Sequence, residues 1–392
     1  MRAVGAELPF PAEEYQQRRR RVREEMRRRE LDVLLVLSPP NLAYLTGFES
    51  VWYPPRAPVG CILRAESEEL VFCDYERHCH YASTHALFDD AIWFTYEDAV
   101  AQLARAFRER GLLGRVGVER WTRSPGAPLV QALEAALEAV GASVVDGSWT
   151  VDRVRAVKSP REVECVLRAA EIADAALAAL PEIARPGLTE LQVAARLELV
   201  MADEGGEPPA IRTMVSAGPL VWARTHSPPG RRPLERGDVL YVDLCGVYRR
   251  YHADVCRTFA LGEDNPVARE ILEWTSRSVD AVAAAVRPGD PLEVAVAAAE
   301  RHVHERYGPE RIWWIGGYAL GLALPPDWVG HIYLDNRAFE RFTWEPGYVT
   351  NYENVLFDRE AGITASYMET LLMTEDGIRV LSSHPRTLTV LP

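Results

Sequence analysis

Two aspartates, Asp243 and Asp254, stand eleven positions apart in the stretch YVDLCGVYRRYHADVCRTF, residues 241–259. Asp243 follows the alternating run Val239-Leu240-Tyr241-Val242, and Asp254 sits in a second run that ends Arg257-Thr258-Phe259, so the pattern predicts a β-hairpin. A turn centred between Tyr248 and Arg249 sets the two carboxylates opposite each other, where Cβ atoms lie roughly 5 Å apart and like charges destabilise. Such a pair needs compensation: a metal ion, a basic side chain, a shared proton, or a slipped register that keeps the acids apart. Glu353 and Glu369 form a second pair, on the arms of another predicted hairpin near residues 348–380. His226 lies in the polar, proline-bounded loop Ala223-Arg224-Thr225-His226-Ser227-Pro228-Pro229, where an imidazole can exchange a proton near pH 7. Tyr318 follows two glycines, which allow close backbone approach, and His331 follows Trp328-Val329-Gly330. Cys256 shares the strand face of Asp254 and is a candidate nucleophile.

These residues must be held by a chain of 392 residues, longer than one core usually grows, so two domains are predicted, 1–155 and 156–392. The first alternates helical and strand signals: a charged helix over 12–29, a buried strand over 32–37, short strands near 61–63, 70–73, 91–94 and 116–118, and amphipathic helices over 99–110 and 128–140. This is an α/β pattern. Ser159-Pro160 then opens a helix, a cap residue followed by proline at the first helical position. Beyond it the pattern runs twice: helices over 161–183 and 190–204 lead to the aspartate hairpin, and helices over 266–286 and 291–307 lead to the glutamate hairpin. The second domain is therefore read as a duplicated helix-helix-sheet unit with pseudo-twofold symmetry, in a chain of mixed α/β (α+β) class.

Composition narrows the function. With 48% hydrophobic and 26% charged residues the chain reads as a soluble globular protein. It has no long uncharged apolar run and no apolar leader after Met1-Arg2-Ala3, so no membrane association and a cytoplasmic location are expected. A formal net charge of -13 disfavours nucleic acid as a partner. The arginine-rich stretch 16–30 mixes both signs at helical spacing and reads as a solvated helix face. Lys158 is the only lysine and lies in a polar helix approach, which argues against pyridoxal phosphate. No glycine-rich phosphate loop is present, and the six cysteines form no CxxC pair and are expected to be reduced.

Taken together, several ordered motifs resemble the creatinase, prolidase and methionine aminopeptidase superfamily with its pita-bread fold. They are Asp243 and Asp254 followed by Arg257-Thr258-Phe259, His226-Ser227-Pro228, Arg236-Gly237-Asp238, Glu345-Pro346-Gly347 leading to Glu353, and the closing Met373-Thr374-Glu375-Asp376-Gly377. Val157-Lys158-Ser159-Pro160 also fits, and Asn41-Leu42-Ala43-Tyr44-Leu45-Thr46-Gly47-Phe48 resembles that superfamily's N-terminal domain. In its metallopeptidases two Asp, one His and two Glu hold a pair of divalent ions that activate a water. Asp243, Asp254 and Glu353 match ligand positions. Tyr318 stands where the His belongs, and aligning on Thr374 puts Met368 at the last Glu position with Glu369 one residue late, which in a strand means the other face unless a bulge intervenes.

Those departures resemble the creatinase and ectoine hydrolase branch, whose members hydrolyse C–N bonds of small, often zwitterionic molecules. The resemblance implies that His226 serves as acid and base, since creatinase works without a metal and uses a histidine at the matching position. Glu353 would orient water or hold a cationic group, and Tyr318, His331 and Glu369 would contact substrate. Arg56 lies near the position from which creatinase-like proteins send an arginine into the partner subunit's site, where it would hold a substrate carboxylate; a homodimer is implied. For cofactor, one expectation is a divalent metal ion on Asp243, Asp254 and Glu353, and the other, toward which the departures weigh, is none. The leading functional expectation is hydrolysis of an amidine, ureido or cyclic imino C–N bond. A metal-dependent Xaa-Pro peptidase, a β-elimination lyase of the dimethylsulfoniopropionate type and a non-catalytic binding module are the alternatives.

Overall fold

The arginine-rich stretch folds as a helix, Ala12–Arg28, but its face is not solvated. Arg18, Arg19 and Arg23 are all buried, and their guanidinium groups donate to main-chain carbonyls. Arg18 Nη1 reaches Tyr44 O at 3.2 Å, Arg19 Nε reaches Leu45 O at 3.1 Å, and Arg23 Nη2 reaches Glu68 O at 2.6 Å. Tyr44 and Leu45 end the helix Pro39–Thr46, whose last carbonyls have no intrahelical donor. The expectation of a charged surface face fails because a forked guanidinium on a long apolar stem can be buried wherever orphan carbonyls await a donor.

The computed structural model describes residues 8–336 and 341–392, and the chain divides into two units, Met1–Arg155 and Ala156–Pro392. The first contains strands β1 (Val33–Val36), β2 (Gly60–Arg64), β3 (Leu70–Tyr75), β4 (Asp90–Phe94), β5 (Arg115–Val118) and β6 (Ser143–Asp146), in the order β4-β3-β2-β1-β5-β6. β2 is antiparallel to both neighbours, and the other pairs are parallel. Just after β5, the buried Glu119 accepts from the N–H groups of Leu37 and Ser38 at 2.8 and 2.7 Å and from Asn41 Nδ2 at 2.7 Å. It thereby ties the end of β5 to the start of the helix Pro39–Thr46.

The second unit holds β7 (Met214–Ala217), β8 (Val239–Tyr248), β9 (Tyr251–Leu261), β10 (Ile312–Gly316), β11 (Val349–Asp358), β12 (Ile363–Thr374), β13 (Gly377–Val380) and β14 (Thr389–Leu391). The main path is β10-β11-β12-β9-β8-β7, with β13 beside β12 and β14 beside β9. Each half opens with two helices. Pro160–Ala178 starts in a capping box between Ser159 and Glu162, and Glu190–Asp203 starts in another between Thr189 and Gln192. The first expected helix breaks after Ala178 into a short second helix, Leu180–Ile183, at Pro181. In the second half the helices are Pro266–Ala285 and Glu293–His304.

Ile172 and Leu177 pack with Leu240, Val242 and Val255 in the first half, and Leu272, Val279 and Val282 pack with Tyr352 and Leu371 in the second. The helix Pro160–Ala178 approaches β8 so closely that a Cβ on Gly246 would lie 1.9 Å from Ala169 O; only glycine fits there. Helices thus cover one face of the sheet and leave the other for chemistry. Among the described residues no helix is long and apolar enough to cross a membrane.

The buried guanidinium groups make a direct test. Replacing Arg19 by Met keeps the apolar stem and removes the donors, and should cost about 1–3 kcal/mol in chemical denaturation because carbonyls are left unpaired. A change within about 0.5 kcal/mol, as for a solvated position, would contradict this burial.

Candidate active site

The aspartate hairpin turns one residue later than its sequence pattern suggests. The two turn residues, Arg249 and Arg250, have φ of 51° and 64°, the left-handed pair that a tight hairpin of matching twist requires. Non-glycine residues are strained there, and Glu207 secures them by accepting from both backbone N–H groups, at 3.0 and 2.8 Å. Arg250 also donates to Pro208 O at 2.9 Å. The resulting register pairs Asp243 with Cys256 and Cys245 with Asp254. The expected direct opposition of Asp243 and Asp254 is therefore replaced by a diagonal relation. Pairing has shifted by two residues, which preserves the face, so both acids still point to the same side.

From there the site is one row across the sheet. Met214, Asp243, Cys256, Met368, Glu353 and Gly316 are successive register partners on β7, β8, β9, β12, β11 and β10. Three of these strands supply the acids, and Asp243, Asp254 and Glu353 are 3%, 1% and 4% exposed. No lysine or arginine donates to any of the three among the described residues. Tyr241 O–H donates to Asp243 Oδ2 at 2.9 Å, and Asn351 Nδ2 donates to Asp254 Oδ2 and to Glu353 Oε1, each at 2.7 Å. Asp243 Oδ1 and Asp254 Oδ1 are buried without a hydrogen-bond partner.

Burial, and then the charges of Asp254 and Glu353, push the Asp243 carboxyl well above its ordinary range. Burial also raises Asp254, against the opposing bond from Asn351. Glu353 is pushed up to about 8 by burial and by the charge of Asp254. Cys256 lies directly opposite Asp243, and burial with the two aspartates drives its thiol well up. A thiol held protonated in this way is a poor nucleophile, so the Cys256 expectation loses its footing.

Glu369 belongs elsewhere. β11 and β12 pair without interruption from Val349↔Leu372 to Asp358↔Ile363, so Glu353 meets Met368 while Glu369 meets Tyr352 on the reverse face. There it forms a buried ion pair with Arg257 and accepts from Tyr367 O–H at 2.9 Å. Arg257 in turn donates to Cys256 O and Met368 O, both at 2.9 Å. Glu369 thus braces the sheet behind the site, correcting the expectation that it meets substrate; no bulge rescues the one-residue slip.

On the front face a cavity of about 430 Å³ is lined by His226, Asp243, Tyr318 and Glu353, with Met214 and Met368 beside the acids. The rest of its wall is mostly aromatic, Trp313, Trp314, Trp328 and Tyr333, together with Ile211 and Val329. Consecutive strand residues ordinarily point to opposite faces, yet Trp313 and Trp314 both line the cavity because the register of β10 shifts between Ile312 and Trp314. His226 stands exposed at the mouth, with its ring edge-on to Trp313 at 4.7 Å. Partial burial lowers its pKa from the ordinary histidine value. Tyr318 is held by main-chain pairing with Asn351, and its hydroxyl accepts from Trp328 Nε1 at 3.1 Å. Gly317 lets this segment approach, since a Cβ there would lie 2.1 Å from Asn351 O.

His331 is half-buried on the same segment and is not among the residues that line the cavity. Arg56 is exposed on the loop between Pro39–Thr46 and β2, in the other unit. Asn351, Tyr241 and the tryptophans were not singled out by the sequence. Asn351 and Tyr241 each precede an acid by two positions, a spacing that does place them on its face; the tryptophan pair carries no such signal because a bulge sets its direction.

The donors at this site differ from those a metal pair requires. Tyr318 replaces the histidine, and burial pushes its phenol well up; Met368, a soft thioether, replaces the last glutamate. Among the described residues no group of three or more His, Cys, Asp or Glu is arranged to hold a metal ion. This set does not fit a two-metal centre.

Both units of the chain match known protein families. Residues 164–375 match metallopeptidase family M24, and residues 18–157 match the Creatinase/Prolidase N-terminal domain. An ectoine hydrolase of Halomonas elongata is 28% identical, the alignment covering 99% of this chain and 100% of that protein. A Xaa-Pro dipeptidase of Pyrococcus furiosus is 30% identical over 60% of this chain and 65% of its own length. The solved Xaa-Pro dipeptidase from Bacillus anthracis superposes with a TM-score of 0.81 at 22% identity, covering 96% of this chain and 100% of that one.

The role given to Glu369 is open to measurement. Replacing it by Ala strands the Arg257 charge in the sheet and should lower unfolding free energy by about 3–5 kcal/mol. An unchanged denaturation midpoint would show that the pair does not brace the fold.

Proposed function

The chain belongs to metallopeptidase family M24, a family of hydrolases, and on that premise we propose that it hydrolyses a non-peptide C–N bond in a small zwitterionic amino-acid derivative. The amidine, ureido and cyclic imino groups are the candidate bonds. The observation that carries this reading is the composition of the cavity: buried acids at its floor, aromatic faces around its wall and a histidine at its mouth. Carboxylates and aromatic faces both attract an organic cation, and the attraction grows where water is excluded. The likeness to ectoine hydrolase over the full chain supports the same substrate class.

In the proposed reaction His226, neutral at pH 7 because its pKa is lowered, accepts a proton from water as the water oxygen bonds to the reacting carbon. The C–N bond then breaks, and the imidazolium returns that proton to the departing nitrogen. Glu353 and Asp243 hold the cationic part of the substrate, and Asn351 and Tyr241 hold the acids. Tyr318, anchored by Trp328, shapes the wall. No step runs through a metal. A homodimer, in which Arg56 of a second copy would hold the substrate carboxylate, belongs to this reading and awaits a molar-mass measurement in solution.

A metal-dependent Xaa-Pro dipeptidase is the second reading, supported by the shared fold and the partial match to the Pyrococcus furiosus protein. It requires cleavage of proline dipeptides that is lost on chelation. Nothing in the arrangement of the site favours the β-elimination reading.

The test is a panel of ectoine, creatine and related amidines and ureido acids, assayed for solvent-oxygen incorporation. His226→Ala should lower kcat by about 10²–10⁴ with the fold intact; undiminished turnover would sink the mechanism. A pH profile adds a second check. Because the base works deprotonated and its pKa lies below the ordinary 6.5, the limb that His226 contributes to kcat/KM should lie below pH 6.5, separate from the limb near pH 8 where Glu353 loses the proton that a substrate cation displaces. A limb assigned to His226 that sits above 7 would contradict the role.

A further inference from the structure

One amide group joins two of the acids. Asn351 Nδ2 has two hydrogens and donates one to Asp254 Oδ2 and one to Glu353 Oε1, at 2.7 Å each. The other end is committed as well: Asn351 Oδ1 accepts from the N–H of Tyr318 at 3.3 Å, which fixes the direction of the amide. Asn351 itself is fully buried. A divalent cation shared by two carboxylates would sit about 2.0–2.2 Å from an oxygen of each, in the gap that this nitrogen fills. The N–H hydrogens carry partial positive charge, so they offset the same anionic oxygens and repel a cation.

We propose that Asn351 is a positioning residue that stands in for a bridging cation, holding Asp254 and Glu353 at fixed spacing and keeping a metal ion out from between them. This rests on the reading of the site as one that works without a metal pair. It also gives the amide a function that spacing alone does not suggest. With Asp254 Oδ2 and Glu353 Oε1 occupied, the second oxygen of Glu353 and the unpartnered Asp243 Oδ1 and Asp254 Oδ1 are left for a proton or a substrate cation.

The test uses Mn²⁺ and no substrate. Full-length protein stripped with chelator is titrated with Mn²⁺, and the free ion is followed by its paramagnetic resonance, for wild type, Asn351→Ala and Asn351→Val, each checked for a cooperative melt. Removing the donors should tighten one Mn²⁺ site at least roughly tenfold, the scale of a hydrogen bond to a charged group, and adding Glu353→Gln should abolish the gain. Equal affinity in all three proteins, tight or weak, would overturn the proposal. Should Asn351→Ala not melt cooperatively, Asn351→Val, which removes the donors without adding a ligand, decides alone. A purely structural asparagine would lower stability without creating a metal site. Failure to find turnover leaves this inference standing, and equal Mn²⁺ affinities leave the hydrolysis reading standing.

Discussion

Three carboxylates share one buried face of a β-sheet with no basic side chain among their donors in the described residues, and the rest of the site is organised around that constraint. Two unit charges about 4 Å apart repel by about 4 kcal/mol even at an effective dielectric of ~20, so Asp243, Asp254 and Glu353 cannot all be ionised in the free protein. Protons must remain on the cluster until a cation replaces them. The raised pKa of each acid expresses this. The aromatic wall intensifies it by keeping water away, and the same wall would welcome the cation that relieves it. What would otherwise be a liability for stability becomes an affinity for one kind of ligand.

Holding like charges together demands a scaffold that does not yield. β8, β9, β12 and β11 align Asp243, Cys256, Met368 and Glu353 in a single row, so the spacing of the acids follows from strand register. Behind the row, Arg257 reaches the carbonyls of Cys256 and Met368 and is neutralised by Glu369. At the end of the hairpin, Glu207 pins a turn built from two arginines in an unfavourable conformation. Both groups bear on the site without touching substrate. Each half of the duplicated unit contributes one hairpin, and the chemistry lies where they meet.

Much of this is legible in the residues, within limits set by physics. Period-two alternation located both hairpins and placed Asp243 and Asp254 on one face, because a register shift of two residues does not change which side a strand residue faces. It could not give the register, which turned on whether two arginines accept left-handed dihedrals. The slip of Glu369 was visible as an ambiguity, and unbroken pairing of β11 with β12 resolved it. Charge pattern misread the arginine helix, since a guanidinium that caps buried carbonyls looks the same in sequence as one in water. The adjacent tryptophans defied alternation because a bulge redirected one of them. Asn351, a neutral residue, carries no charge signal in the sequence, although a neutral donor is what adjoining acids require when no cation stands between them.

The central claim is that this pita-bread site works with protons and an amide where metallopeptidases place a pair of ions. Its most direct test is the metal content of protein that is purified without added metal and turns over its substrate, determined by elemental analysis. The account expects less than one divalent ion per chain in a fully active preparation. Two ions per chain, with activity lost and regained as they are removed and restored, would contradict it.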